Sequence, residues 1–172
     1  MEKIYRVVFE CYDKNQQTTP IYSRVVLEGS LQKPTNCMDF TIGMDNQISL
    51  IQNVQDLVLS EKADLINSDK KTCHDCAIKL AKCGHHTSTI HDVFTDHEVK
   101  IQRLKCRLCN YEEPSTIRTI LNGTISGDLV KVQSTLGADY TYRESEKILK
   151  LFSLKKRQIN NHDRVKQGAA FN

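Results

Sequence analysis

The stretch 73-CHDCAIKLAKCGHH-86, answered by 106-CRLC-109, decides how the rest of the chain is read. A Cys-x-x-Cys turn returns its second sulfur beside the first, so each turn offers half of a tetrahedral thiolate site. Cys73 and Cys76 supply one half, Cys106 and Cys109 the other, with 29 residues between them. That spacer is longer than usual and has room for two strands. Two such turns on neighbouring hairpins make a zinc ribbon, and Zn2+ is the expected cofactor.

Rival readings of the cysteines are specific. Thioredoxin-type redox chemistry needs one Cys-x-x-Cys at a helix start in a βαβ context, which the sequence lacks. Buried thiols can also serve as small core residues. Cys83, in Lys-Cys-Gly, is the best substitute ligand. His74, His85, His86 and His91 lie close by but read first as ordinary polar residues. Cys11 and Cys37 are distant and read as structural. A catalytic zinc keeps an open position, and no H-x-E or H-E-x-x-H motif occurs. Four thiolates close the site. The metal is therefore expected to support folding, and no enzyme activity is expected.

Composition agrees with a stapled fold. The 172 residues suit one medium domain or two to three small modules. Hydrophobic residues are 39%, aromatics 6%, and Trp is absent, so the cores are thin and a staple matters. Seven cysteines occur in a chain whose opening, MEKIYRVVFECYDK, lacks a secretory signal's apolar core. Reduced thiols and a cytoplasmic location follow as expectations. No apolar run is long enough to span a membrane.

Charge shifts along the chain. Residues 1–69 carry six Lys/Arg against ten Asp/Glu, 70–112 eight against five, and 113–172 ten against six. The acidic start and basic end suit a polyanion partner for the C-terminal half.

Outward from the cysteines, the patterns change period. Residues 3–12 and 21–28 are β-branched and aromatic and predict two strands joined by a polar connector ending at Pro20. Residues 44–66 predict a helix, with Leu50, Ile51, Val54, Leu57 and Val58 on one stripe and Asp45 near its start. A polar stretch, 67-NSDKKT-72, precedes the cysteine module, inside which 87–94 and 98–106 predict strands. Beyond Pro114 helices are expected at 127–136, stopped by Gly137, at 142–153 behind the capping box 141-TYRE-144, and at about 156–167. There is no internal repeat.

The last of these helices carries nucleic-acid chemistry. Lys155, Lys156, Arg157, Arg164 and Lys166 suit phosphates, while Gln158, Asn160 and Asn161, with arginine, can pair with base edges. In a trihelical helix-turn-helix the final helix enters the major groove. Lys100, Arg103, Lys105 and Arg107 form a second basic stripe, and Arg103, Lys105 and Arg107 fall on one face if the strand continues through them. The expected partner is double-stranded DNA.

The order Cys-x-x-Cys, His-x(4–5)-His, then a strand entering Leu-x-Cys-x-x-Cys resembles the N-terminal zinc ribbon of bacterial insertion-sequence (DDE-type) transposases. The stretch 136-LGADYTYRESEKIL-149 is similar to the helix that follows the ribbon there, and 26-VLEG-29 and 48-ISLIQNVQDLVL-59 are similar to their N-terminal region. The resemblance implies binding to element ends in transposition, with a nuclease domain beyond. No counterpart of that domain is expected in this chain. Asp128, Asp139 and Glu144 are expected at helix starts, as caps and dipole partners, and do not make a two-metal site.

The expected architecture is α+β: a strand–strand–helix unit at 1–69, a zinc ribbon at 70–113 and a trihelical, helix-turn-helix-like bundle at 114–172. The expected function is zinc-stabilised DNA recognition, transposase-like but without the nuclease. A second copy of the chain or a transposase are further expected partners. The rival class is a zinc-ribbon adaptor for protein partners, followed by RNA binding.

Overall fold

The computed structural model describes residues 3–121, 124–153 and 158–169. It is mixed α+β, with two separate two-stranded antiparallel sheets. The chain divides into two compact units, 1–55 and 56–172. The division falls inside a helix rather than in the polar 67–72 stretch.

In the first unit, β1 (Lys3–Cys11) pairs with β2 (Tyr22–Leu31), as their β-branched and aromatic content predicts. The register shifts at Val7/Val8, the mark of a bulge. Tyr5 lies opposite Gly29 with its ring over the glycine; a Cβ there would meet the Tyr5 hydroxyl oxygen at 2.5 Å, so a larger residue would push the ring aside. Phe9 and Tyr22 stack at 6.2 Å. Helix α1 (Met44–Ser68) follows a short 3-10 turn at Cys37–Phe40. Asp45 sits in its first turn, where a carboxylate meets the helix's positive end. Asn53 donates from Nδ2 to the Val26 carbonyl at 2.9 Å, and Val26 and Ile48 are the buried apolar side chains of this unit.

In the second unit, β3 (Ala81–His91) and β4 (Asp96–Lys105) form a hairpin longer than the predicted strands. The polar 81–86 segment was not expected to be a strand, but it pairs with β4 across a bulge between Lys82 and His85. Gly84 takes φ +95° there, a conformation that side-chain-bearing residues avoid. Ile90, Val99 and Ile101 pack with Ala63 of α1 and Ile117 of α2 (Thr116–Leu121) to form the core of this unit. After α2 the chain returns to the end of β3, where the His91 N–H donates to the Thr124 carbonyl at 2.7 Å and the Ser126 N–H to the His91 carbonyl at 2.8 Å.

Three further helices pack on one another: α3 (Gly127–Asp139), α4 (Tyr142–Leu151) and α5 (His162–Ala169). Leu129, Leu149 and Val165, one from each, are fully buried. The capping box is present as predicted, with Glu144 N–H on the Thr141 hydroxyl and the Glu144 carboxylate on the Thr141 N–H. Gly137 does not stop α3. The helix continues to Asp139 and ends at Tyr140, because the next cap, Thr141, sets the boundary. The last helix is shorter than predicted; a 3-10 turn at Gln158–Asn160 comes before it.

Candidate metal centre

Two turns, one on each side of the β3–β4 hairpin, are built alike. In the first, the Cys73 N–H donates to the Ile78 carbonyl (2.8 Å) and the Ala77 N–H to the Cys73 carbonyl (3.0 Å). In the second, the Cys106 N–H donates to the Tyr111 carbonyl (2.8 Å) and the Asn110 N–H to the Cys106 carbonyl (3.1 Å). The flanking bridges match as well, Thr72 with Lys79 and Lys105 with Glu112. A repeat is therefore present in the backbone, although the two segments share little beyond the cysteines. Each turn closes through a left-handed residue, Ala77 and Asn110, directly after its second cysteine.

The turns face each other. The sulfurs of Cys73, Cys76, Cys106 and Cys109 all lie within 4.8 Å of one another, and Cys73 Sγ is 3.5 Å from Cys109 Sγ. Four sulfurs about 2.3 Å from one tetrahedral ion stand roughly 3.8 Å apart, so the set fits such an ion. All four are free thiols. Cys73 and Cys106 are buried beside Leu80, with Ile78 and Leu104 packed around them, while Cys109 is exposed and opens the cluster to solvent.

The electrostatics suit a cation. The backbone N–H groups of Cys109 and Leu108 hold the Cys106 thiol down to about 7. The Cys76 thiol, hydrogen-bonded to the Cys109 sulfur and partly desolvated, is pushed up to about 12. At Cys109 the Tyr111 N–H pulls downward, but the bond to Cys106 and burial leave the thiol raised. Negative charge on one sulfur thus opposes charge on its neighbours, and a bound cation would remove that opposition.

The substitute ligands lie outside the four-sulfur set. Cys83 is exposed on β3. His74 is exposed and bonded to Asp75, and His91 pairs with Asp96 at 2.8 Å. His85 is exposed and His86 half-buried on β3. Among the described residues, the four cysteines are the cluster with metal-ligand geometry.

The predicted DNA-facing residues are not brought together. The strand ends at Lys105, so Arg107 sits in the second turn and leaves the stripe. Arg103 binds Glu112 at 3.0 Å and Lys105 lies 3.9 Å from the same carboxylate, so Glu112 offsets one of their two positive charges. Lys155, Lys156 and Arg157 lie outside the described residues, as does the Gln158 side chain. Asn160 is 1% exposed, and its amide points into the three-helix bundle. A base reader must reach solvent, so that expectation is corrected: Asn160 is an interior residue, because the 3-10 turn rotates it inward. Asn161 accepts from the Arg164 N–H at 3.0 Å and so caps α5. Arg164 is exposed and bonds Gln167 at 3.1 Å.

Two arrangements had no sequence signal. Lys71 Nζ donates to Glu113 (3.0 Å) and to the Thr116 hydroxyl (2.5 Å), tying the first cysteine turn to the start of α2. His97 is buried, its Nδ1 2.5 Å from Asp56 of α1 and its Nε2 3.9 Å from Asp92. Both depend on partners about forty positions away in the chain. Compared with family models, with curated proteins and with solved structures, the chain gave no match.

Proposed function

We propose that this chain is a zinc-stabilised DNA-binding module, in which Cys73, Cys76, Cys106 and Cys109 hold one structural Zn2+ and the surrounding cations hold phosphates. The four-sulfur cluster carries the reading. Four thiolates fill a tetrahedral shell, so the ion has no open position for water and its role is to staple the hairpins. The resemblance to the recognition region of insertion-sequence transposases supports DNA as the partner. So does the excess of cations after residue 69. The bundle of α3, α4 and α5 is read as helix-turn-helix-like, with Arg164 on its exposed face.

The test is binding to mixed-sequence duplex DNA across a salt series, with protein of measured zinc content, before and after chelation. One zinc per chain and salt-dependent binding that is lost on chelation are expected. Zinc without DNA binding would overturn the DNA half and keep the staple. A chain that takes up no zinc would overturn both.

A second reading rests on the first unit. Val8 and Val25 face each other across β1 and β2 and are both exposed, as is Ile4 on the same side of β1, with the Arg6–Glu28 ion pair between them. A mixed face with outward apolar side chains suits a protein partner or a second copy. Concentration-dependent mass without salt-sensitive DNA binding would favour it.

A further inference from the structure

Of the predicted stripe, Lys100 and Arg107 pair with no carboxylate among the described residues, and they stand beside further unpaired cations around the first cysteine turn and β3. An open cavity of about 640 Å³ is lined by Lys70, Lys79, Lys82 and Arg107, together with Lys71 and Asp69. A second, of about 300 Å³, shares Ser68 and Lys82 with the first and adds Lys100, His85 and Asp64. Lys71 is already held by Glu113. Lys70, Lys79, Lys82, Lys100 and Arg107 are exposed, and none makes an ion pair with a carboxylate among the described residues.

From this arrangement we infer that the groove running past Arg107, Lys79, Lys82 and Lys100 is the phosphate-backbone track of the module. The inference rests on the DNA reading above and deepens it by naming the face. Five free cations stand against Asp64, Asp69 and the negative end of α1, which amounts to roughly half a charge. The balance stays clearly positive. Cations spread along a groove suit a ligand whose charges repeat along a line, as in a nucleic-acid backbone, better than one compact anion. The groove is formed where the first cysteine turn, the second turn and β3 meet: Lys79 and Lys82 flank Leu80, which packs on Cys73 and Cys106. The zinc staple therefore sets the spacing of the track, and the coupling of metal to DNA binding follows from position.

The experiment compares zinc-loaded full chain with two variants on the same mixed duplex across a salt series. The first is Lys79→Gln, Lys82→Gln and Arg107→Gln together, all exposed positions. The second is Arg164→Gln with Lys166→Gln on α5. Each backbone contact contributes a slope of about −0.9 in log K against log salt, so the groove variant should lose roughly 2 to 3 units of slope. Its binding at moderate salt should fall about 10- to 100-fold. Its zinc content should equal that of the parent. DNA binding with an unchanged slope in the groove variant would overturn the inference while leaving the DNA reading intact. So would a slope that drops only in the α5 variant. A parent chain that ignores DNA would remove the reading and the track together. Equal, groove-dependent affinity for polyglutamate would reassign the face to acidic protein segments.

Discussion

Ala77 and Asn110 hold the same left-handed backbone, at φ 54° and 61°, each closing a cysteine turn by donating its N–H to the first cysteine's carbonyl. Asparagine tolerates this region; alanine pays a steric cost of about 1 kcal/mol because its Cβ crowds the backbone. Ala77→Gly should therefore stabilise the chain by about 0.5 to 1 kcal/mol, less the entropy that glycine adds to the unfolded state. Asn110→Gly should change little, and Ala77→Val should destabilise. Urea midpoints of the zinc-loaded variants check the order, and an Ala77→Gly variant less stable than Ala77→Val would sink the argument.

Replacing any one of Cys73, Cys76, Cys106 or Cys109 by Ser should abolish tight zinc binding and loosen the β3–β4 hairpin, because the set has no spare ligand within reach among the described residues. Cys83→Ser should keep full zinc content, since that thiol sits outside the set. Metal release on thiol modification, read with a chromogenic chelator, separates the two classes. Loss of zinc in Cys83→Ser would mean the ligand set is wrong.

Glu113 titrates below its ordinary value of 4.5, first because Lys71 hydrogen-bonds its carboxylate and then because Tyr111 does. A carboxylate with a lowered folded pKa contributes stability that is fully present above the unfolded value. That contribution is lost as pH falls through the folded one. Glu113→Gln should thus cost about 1 kcal/mol at neutral pH. The gap between the two proteins should close below the carboxylate range. Paired denaturation curves across pH measure that gap; a gap that widens in acid would contradict the assignment.

His97 is 1% exposed and bonds Asp56. Since a carboxylate only accepts, Nδ1 must carry the proton in that bond. His97→Ala leaves a cavity beneath α1, while the half-exposed Asp56 carboxylate turns to water, and should cost about 2 to 4 kcal/mol. Asp56→Asn keeps a side-chain oxygen that can still accept, and should cost about 1 kcal/mol or less. A double-mutant cycle on unfolding midpoints tests the coupling, and strict additivity would show that the pair does not hold the helix to the hairpin.

Asn161 separates capping from base reading. Asn161→Ser keeps a capping oxygen and Asn161→Ala removes it, so Ala alone should destabilise α5, by about 1 kcal/mol. If the side chain also reads bases, Ser should weaken specific DNA binding without loss of stability. Specific binding that tracks stability alone across both variants would leave Asn161 as a cap only.

Much of the local order was legible because its causes are local. The β-branched runs predict β1 and β2, the 3.6-residue stripe predicts α1, and Thr141 with Glu144 predicts the cap of α4. The misses share a different cause. Gly137 reads as a stop by its residue type, yet α3 runs to Asp139, because the helix ends where the Thr141 cap of the next one begins. The strand character of 81–86 comes from pairing with β4, not from its own polar side chains.

The same division holds for function. The sequence by itself determined that two pairs of sulfurs would sit close, since Cys-x-x-Cys brings two sulfurs together through a few torsions of one short turn; that the two pairs meet and that Cys83 lies outside them came from the tertiary structure. Only the tertiary structure decided which cations stay free and which residues face water. Glu112 reaches Arg103 and Lys105 because the second cysteine turn folds it back alongside β4, and Arg107 leaves the stripe because the strand stops at Lys105. Asn160, on a 3-10 turn packed against α4 and α5, is buried. Charge pairing and burial depend on neighbours across space, and those neighbours exist only once the hairpin and the helices have closed.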